Sequence, residues 1–570
     1  NPDGSLLAYT YDAAGNRTQL TVQQGVRSPR VTRFGYDALN RLASVTDPES
    51  GVTTYTYDAN GNRASATLPN GIRAVYTYDV LNRLTLLEHR RADNSLVARF
   101  AYTLSANGQR VRAAETVNGI SRTVDYTYDA YQRLVREQIA DPTNGNRDAA
   151  YVYDAVGNRL TMTVNSVATS YTYDANDRLL SETSGGISVA YSYDANGNTL
   201  TKRQGATTLA TYTWDAENRL TGAIQGGNTV VYAYDAAGNR VAKTLNGVTS
   251  HYLVDTNREY AEVVEERAAN GDLIAGYVHG DDLLKQLRSG QGTYYHADGL
   301  GSTRALTNTS GAVTDTWHYE AFGTELARTG STVNEYRYTG EQIDPNSGFY
   351  YLRARWMDPE VGRFASLDQH PGCVSCPNTL HKYTYVAQDP VNRLDPSGEF
   401  FGVSTLVGFN ISVGTRVAAI RGAFQLGARI GWQAIGQAGR LAERYVEQIV
   451  RQCLNPRNFT RNPRIPGSAK RLDGLVELAD GFLNIEVKSS LPKIGSVALK
   501  RLKDQLLAAQ SAGLNPVVVF GQHFTKAQMR PLLQYFGKQG VNTSSIKFIG
   551  GFVHFAAWIG ETYGVICLGL

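Results

Sequence analysis

The chain has 570 residues, 35 of them Tyr against 3 Met, with 56 Gly and 17 Pro, a balance that disfavours a single small domain or a helical bundle and predicts many short strands and tight turns. Its net charge of +4 hides an asymmetry: residues 1–400 carry 36 Lys+Arg against 44 Asp+Glu, a net of −8, and residues 401–570 carry 20 against 8, a net of +12. Four scattered cysteines exclude a disulfide framework, and no apolar stretch reaches the roughly 20 residues of a spanning helix.

The chain opens Asn1-Pro2-Asp3-Gly4 without Met or a signal-peptide pattern, so any targeting segment is expected upstream. A motif Tyr-Asp-Ala-x-(Gly/Asn)-(Asn/Asp)-Arg then recurs from Tyr11-Asp12 to Tyr234-Asp235, with degenerate copies at Tyr102-Thr103 and Trp214-Asp215, at a period of 20 to 26 residues. Each unit reads as an alternating aromatic strand, a turn on Asp and Gly-Asn, and a return strand starting Arg-Leu. One hairpin cannot bury its own apolar face, so eleven units should join edge to edge into a long sheet that curls, with tyrosine rings along one face. An open solenoid or stalk is the plainer alternative.

These residues resemble the YD repeats of Rhs proteins and of the C components of insecticidal toxin complexes. The resemblance implies a mainly β fold in which a spiral sheet forms a hollow cocoon around a C-terminal toxin, with a shell over residues 1–289. From residue 290 the period gives way to Tyr294-Tyr295-His296-Ala297-Asp298-Gly299-Leu300-Gly301-Ser302-Thr303, Tyr338-Thr339-Gly340-Glu341, Gly348-Phe349-Tyr350-Tyr351-Leu352-Arg353-Ala354-Arg355, Asp358-Pro359 and Asp395-Pro396-Ser397-Gly398. This string is similar to the Rhs-associated core, expected here as a plug over 290–406. Read without the resemblance, the Asp-Pro pairs are ordinary turns.

The resemblance implies an intramolecular aspartyl autoprotease. Its two carboxylates fall on Asp368 and Asp395, its orienting cation on Arg355, and its scissile bond on Leu406-Val407. Two carboxyl groups held close cannot both ionise, so one serves as acid while the other activates water. The chain departs from the family pattern at Gln369-His370 and in extra residues around Gly372 to His381. That loop carries His370, Cys373, Cys376 and His381, a spacing that could bind zinc, although one short loop supplying all four ligands is rare.

Residues 407–437 form a Gly/Ala-rich linker interrupted by Arg416, Arg421 and Arg429, which argues against stable membrane insertion. The pattern over 438–570 is α/β. Leu441–Cys453 predicts an amphipathic helix, and residues 455–469 a basic, Pro-rich loop. Arg471–Leu478 and Phe482–Ser489 predict a hairpin about Asp480-Gly481, followed by a helix over 495–512 and a buried-type strand Pro516–Phe520. On the second hairpin strand Glu486 and Lys488 share a face, roughly 7 Å apart, with Asp473 on the strand before.

Two acidic groups beside a lysine can hold Mg²⁺ or Mn²⁺, which polarises a phosphodiester and activates water. A Glu-x-Lys triplet alone is a weak signal; the ordered set Glu443, Asp473, Glu486, Lys488, Gln505 is stronger. It resembles the PD-(D/E)xK, restriction endonuclease-like fold, which implies Asp473 and Glu486 as metal ligands, Lys488 as catalytic lysine, and Glu443 and Gln505 in support. A deaminase would need His-x-Glu and Pro-Cys-x-x-Cys, and an HNH nuclease clustered histidines; after residue 400 only His523 and His554 occur.

The expected activity is therefore a secreted effector that releases a metal-dependent DNase inside a target cell, with an RNase or a membrane-active payload as alternatives. The resemblance implies three partners: nucleic acid, an immunity protein acidic enough to meet the +12 domain, and a secretion apparatus or spike protein engaged through an upstream region.

Overall fold

A computed structural model describes residues 5–25, 27–369 and 379–399, together with the backbone of 402–403 and of the strands within 459–461, 474–478, 481–488, 515–520 and 547–550. The chain divides into two units, Asn1–Gly414 and Thr415–Leu570. The first is dominated by a 30-stranded antiparallel sheet running from Ser5–Tyr11 to Glu325–Thr329. Each strand pairs with the one before and the one after it in sequence. The meander continues past residue 290, where the sequence period lapses.

Two turn chemistries close the hairpins at the Tyr-Asp motif, and the choice between them decides what the sheet buries there. At Asp37, Asp79, Asp129, Asp174 and Asp215 one carboxylate oxygen accepts the N–H groups of residues two and four later. The other oxygen accepts from Nε of the arginine four later, at 2.6 to 2.7 Å. At Asp12, Asp58, Asp154, Asp194 and Asp235 a glycine at positive φ occupies the third position, and the fourth is an asparagine whose Nδ2 donates to the same carboxylate at 2.8 to 3.0 Å.

The two turns are equally long, the aspartate N–H donating to the carbonyl four residues later in both, but in the Gly-Asn class the arginine stands fifth instead of fourth, and a one-residue shift moves a side chain to the opposite face of a strand. The fifth position after the turn residue faces inward. Leu42, Leu84, Leu134, Leu179 and Leu220 occupy it in the first class and are buried; Arg63, Arg159, Arg240 and Thr199 occupy it in the second and are equally buried.

The abundance of tyrosine has a local cause. The motif hydroxyl donates to the backbone carbonyl of the fifth-position residue of the preceding unit: Tyr36 to Arg17, Tyr57 to Leu42, Tyr78 to Arg63, Tyr128 to Arg110, Tyr153 to Leu134, Tyr173 to Arg159, Tyr193 to Leu179 and Tyr234 to Leu220, at 2.6 to 3.0 Å. Trp214 replaces the hydroxyl with its indole N–H, donating to the Thr199 carbonyl at 2.7 Å. Tyr173→Phe keeps the ring and removes this bond, so we expect a loss of about 1 kcal/mol, read as a lower denaturant midpoint; an unchanged midpoint would mean that the bond adds nothing to stability.

The ribbon curls so that its early strands meet later ones. Tyr9 Oη donates to Asp255 at 2.9 Å, Arg63 pairs with Asp281 at 2.9 Å, Lys285 with Asp47 at 2.7 Å and Arg304 with Glu115 at 2.7 Å. Apolar residues of both passes, among them Val45, Leu87, Phe100, Val278 and Ala305, form one core between these contacts. The inner face is thus not solely aromatic, as the tyrosine periodicity suggests, but is crossed by buried ion pairs.

The segment after the last long strand folds onto that inner face. Four of its short strands, Gln342–Ile343, Tyr350–Leu352, Arg355–Asp358 and Arg363–Phe364, form one small sheet. Phe349, Tyr351 and Trp356 pack on Tyr212 and Tyr232; Val391, together with Phe322 of the last sheet turn, on Leu134 and Tyr151; Val361 on Tyr171 and Leu179.

In the second unit the strands stand in the order Phe459–Arg461, Gly474–Leu478, Gly481–Lys488, Asn515–Phe520, Lys547–Gly550. The first three are antiparallel and the last two join in parallel. A mixed sheet of this kind requires crossover connections to its parallel strands. The hairpin expected about Asp480-Gly481 is present, with Leu478 opposite Gly481. The helices expected over 441–453 and 495–512 lie outside the described residues.

Candidate autoproteolytic site

Arg355 begins the short strand Arg355–Asp358, and its guanidinium is buried against the Phe364 ring, 3.6 Å from the ring centroid. Nη2 lies 3.2 Å from Asp368 Oδ2 and 3.6 Å from Asp395 Oδ2. The three residues expected at one site therefore meet, with the arginine bridging the two acids. Burial pushes the Arg355 guanidinium below its ordinary pKa, and the two aspartates oppose that shift.

A ladder of donors holds the Asp395 loop. Arg353 Nη1 donates to the Pro396 carbonyl at 2.6 Å, Ala354 N to the Ser397 carbonyl at 3.1 Å, and Arg355 Nε to the Gly398 carbonyl. Three consecutive residues thus bind three consecutive carbonyls. Ser397 Oγ donates to Asp395 Oδ1 at 3.0 Å, and Gly398 turns the chain at φ +70°. The opposite side is anchored by Asp368 N, which donates to the Lys382 carbonyl at 2.9 Å. Beyond the loop the chain doubles back, pairing Arg393 with Val403 and Leu394 with Gly402 in antiparallel register. The proposed scissile pair Leu406-Val407 lies outside the described residues.

Arg353 and Gly398 were not marked as site residues by the sequence. The Gly of Asp-Pro-Ser-Gly carries a visible turn signal; Arg353 acts through tertiary contacts that no local pattern encodes.

The departures between the two aspartates are partly placed. Gln369 Nε2 donates to the Glu217 carbonyl at 3.1 Å, tying this stretch to the sheet. His381 Nε2 contacts Asn158 Oδ1 at 2.8 Å, and Nδ1 accepts from the N–H groups of Tyr383 and Thr384 at 3.1 and 3.2 Å. Burial pushes this imidazole down to about 2. With both ring nitrogens engaged, His381 is not a ready zinc ligand; His370, Cys373 and Cys376 lie outside the described residues.

In the second unit, Glu486 and Lys488 fall two residues apart on the strand Gly481–Lys488, opposite Val518 and Phe520 of the parallel neighbour. Gly474, next in sequence to Asp473, pairs with Ile485, next to Glu486. Asp473, Glu443 and Gln505 lie outside the described residues.

A family model described as the teneurin YD-shell matches residues 92–391, and an RHS-repeat model matches 36–74 and 57–95. Among curated proteins, the chain is 32% identical over 172 residues to the tRNA3(Ser)-specific nuclease WapA of Bacillus spizizenii, covering 29% of this chain and 7% of that protein. It is 27% identical over 157 residues to the double-stranded DNA deaminase toxin A of Burkholderia cenocepacia, covering 27% of this chain and 10% of the other. A chain of the Photorhabdus luminescens Tc holotoxin pore is similar with a TM-score of 0.47 at 16% identity, over 68% of this chain and 23% of that one. The chain thus spans a small fraction of the length of these relatives.

Proposed function

Because the chain belongs to the teneurin YD-shell family, we propose that it is the shell and payload portion of a secreted toxin delivered into target cells, which cuts itself to free a C-terminal nuclease. The observation that carries this reading is Arg355 set between Asp368 and Asp395, 3.2 and 3.6 Å from them, with the downstream chain returning beside Asp395.

In the scission, water adds to the scissile carbonyl carbon while one aspartate takes its proton. The other aspartic acid protonates the leaving amide nitrogen, and the C–N bond breaks to leave a carboxylate and an amine. Arg355 orients the pair and offsets developing negative charge. Water need only reach the Asp395 loop.

For the freed domain, the hairpin register and the parallel strand beside it support the restriction endonuclease-like reading, with DNA as substrate. Asp473 and Glu486 offer the hard oxygen donors that Mg²⁺ or Mn²⁺ takes, and the ion would supply Lewis acidity at the phosphodiester. Lys488 would neutralise charge there, and Glu443 and Gln505 would support the acids. An RNA substrate is the second reading, favoured by the names of the WapA relatives. An immunity protein with an acidic face is the expected partner in the producing cell.

Expression of the full chain should give two fragments by intact mass, one ending near residue 406, and Asp395→Asn should give a single uncut chain; an Asp395→Asn protein that still cuts removes the autoprotease. The released domain should degrade plasmid DNA with Mg²⁺ but not with EDTA, and Glu486→Ala should abolish that activity. Loss of RNA alone would select the second reading.

A further inference from the structure

We propose that Arg353 is a positioning residue for the scission, fixing the Asp395 loop against Arg355 through the Pro396 carbonyl, and that the charge of Glu341 governs how firmly it does so. This rests on the autoproteolysis reading above.

Arg353 is half-buried and takes a backbone φ of +61°, a conformation uncommon for a side-chain-bearing residue and sustained only where surrounding contacts over-determine it. Those contacts are numerous. Nε donates to the Ala261 carbonyl at 2.9 Å, and Nη2 to Glu262 Oε1 at 3.2 Å, at the start of the sheet strand Glu262–Ala268. Nη1 reaches both oxygens of Glu341, at 3.0 and 2.9 Å, and the Pro396 carbonyl at 2.6 Å. The guanidinium therefore transmits the position of the rigid sheet to the residue directly after Asp395.

Glu341 is the adjustable member of this set. Burial is the largest influence on its carboxyl and raises it to about 7, opposed by Arg353 and reinforced by Glu262 and Asp395. These three act on it most strongly; Arg240 and Tyr351 line the same cavity and Tyr385 also feels its charge, while His279 stands 3.9 Å from Glu262 and the Tyr260 ring lies 5.5 Å from the Arg353 guanidinium. Above about pH 7 the ionised Glu341 grips Arg353 with two charge-assisted hydrogen bonds. Below it the carboxyl is neutral, the charge assistance is lost and only a weaker neutral hydrogen bond holds Arg353, so the loop is held less firmly. Through this contact, cleavage should slow as pH falls through about 7.

The test follows full-length chains made by cell-free synthesis and then held between about pH 5.5 and 8.5, with the cleaved fraction measured over time. Wild type should show an inflection near 7, Glu341→Gln should be slower and lack it, and Arg353→Gln should cut at least about tenfold more slowly, with partial recovery in Arg353→Lys. Wild-type rates and an unchanged pH profile in both Arg353→Gln and Glu341→Gln, beside an inert Asp395→Asn, overturn this inference and leave autoproteolysis standing. A wild-type chain that never cuts overturns both. If Arg353→Gln does not fold, as judged by protease resistance of the shell, the Glu341→Gln profile decides: a persistent inflection overturns the inference, and its loss supports it.

Discussion

Glu115→Gln should destabilise the shell by on the order of 3–5 kcal/mol, the cost of leaving buried charge uncompensated. Glu115 lies between two buried arginines, with Oε2 2.6 Å from Arg122 Nε and 2.7 Å from Arg304 Nη2. Arg304 keeps a second acid, Asp298, at 3.1 Å, but Arg122 would retain only the Tyr319 carbonyl, at 3.1 Å. Burial works against ionisation of Glu115, yet the two guanidiniums outweigh it and hold the carboxyl far below its ordinary range. A depressed carboxyl stabilises the folded state above its unfolded value and loses that contribution as pH falls through its folded one. The difference between wild type and Glu115→Gln should therefore be complete above about pH 4.5 and diminish only in stronger acid. Thermal melts of the two proteins at neutral pH measure it, and superimposable melts would show that the triad contributes no net stability. The triad joins strands far apart in sequence, so its loss should also expose the shell to protease.

Gly398→Val should abolish scission while leaving the melt of the shell almost unchanged. At φ +70° a β-branched residue is strained, and a Cβ here would stand 2.8 Å from the Arg355 nitrogen and well inside contact distance of the Leu352 carbonyl oxygen. Both neighbours are backbone and cannot swing away. The loop must shift, taking Asp395 from Arg355, and a displacement of about 1 Å is enough to cost roughly 100-fold in rate. Leu352 belongs to an inner cluster, but the clash falls on its backbone carbonyl and not on the packed side chain, so the loop gives way and global stability should hold. Intact mass after expression gives the answer: two fragments at the wild-type ratio would mean that the loop tolerates the shift.

Much of the first unit was legible in the sequence because its determinants are local. The Tyr-Asp period marks the hairpins, and Asp with Gly-Asn or Asn-Arg marks their turns. The inward charge was harder to read. The residue five after each turn aspartate is visible, but its direction depends on the pleat, and its partners, such as Asp255 for Arg17, come from more than 200 positions away.

The acid pair stands at the other limit. Asp368 and Asp395 look like turn residues, and only their resemblance to a known core separated them from dozens of other aspartates. Arg355 followed from the same resemblance, whereas Arg353, two residues earlier, could not, because its role consists of contacts to Ala261, Glu262, Glu341 and Pro396. In the second unit the hairpin register was legible from Asp-Gly punctuation and alternation, since Leu478 meets Gly481 as the turn requires.

The two turn classes alternate along the sheet. The inward positions run Arg17, Leu42, Arg63, Leu84, Arg110, Leu134, Arg159 and Leu179, then Thr199, Leu220 and Arg240, with Thr199 the one substitution in the arginine series. The unit of inheritance is therefore two hairpins rather than one. Duplicating or losing a single hairpin would put every later arginine where a leucine docks and leave Asp255, Asp281 and the core segment facing the wrong partner. Gain or loss of hairpins in pairs preserves the phase, so the length of such a shell is free to evolve only in even steps.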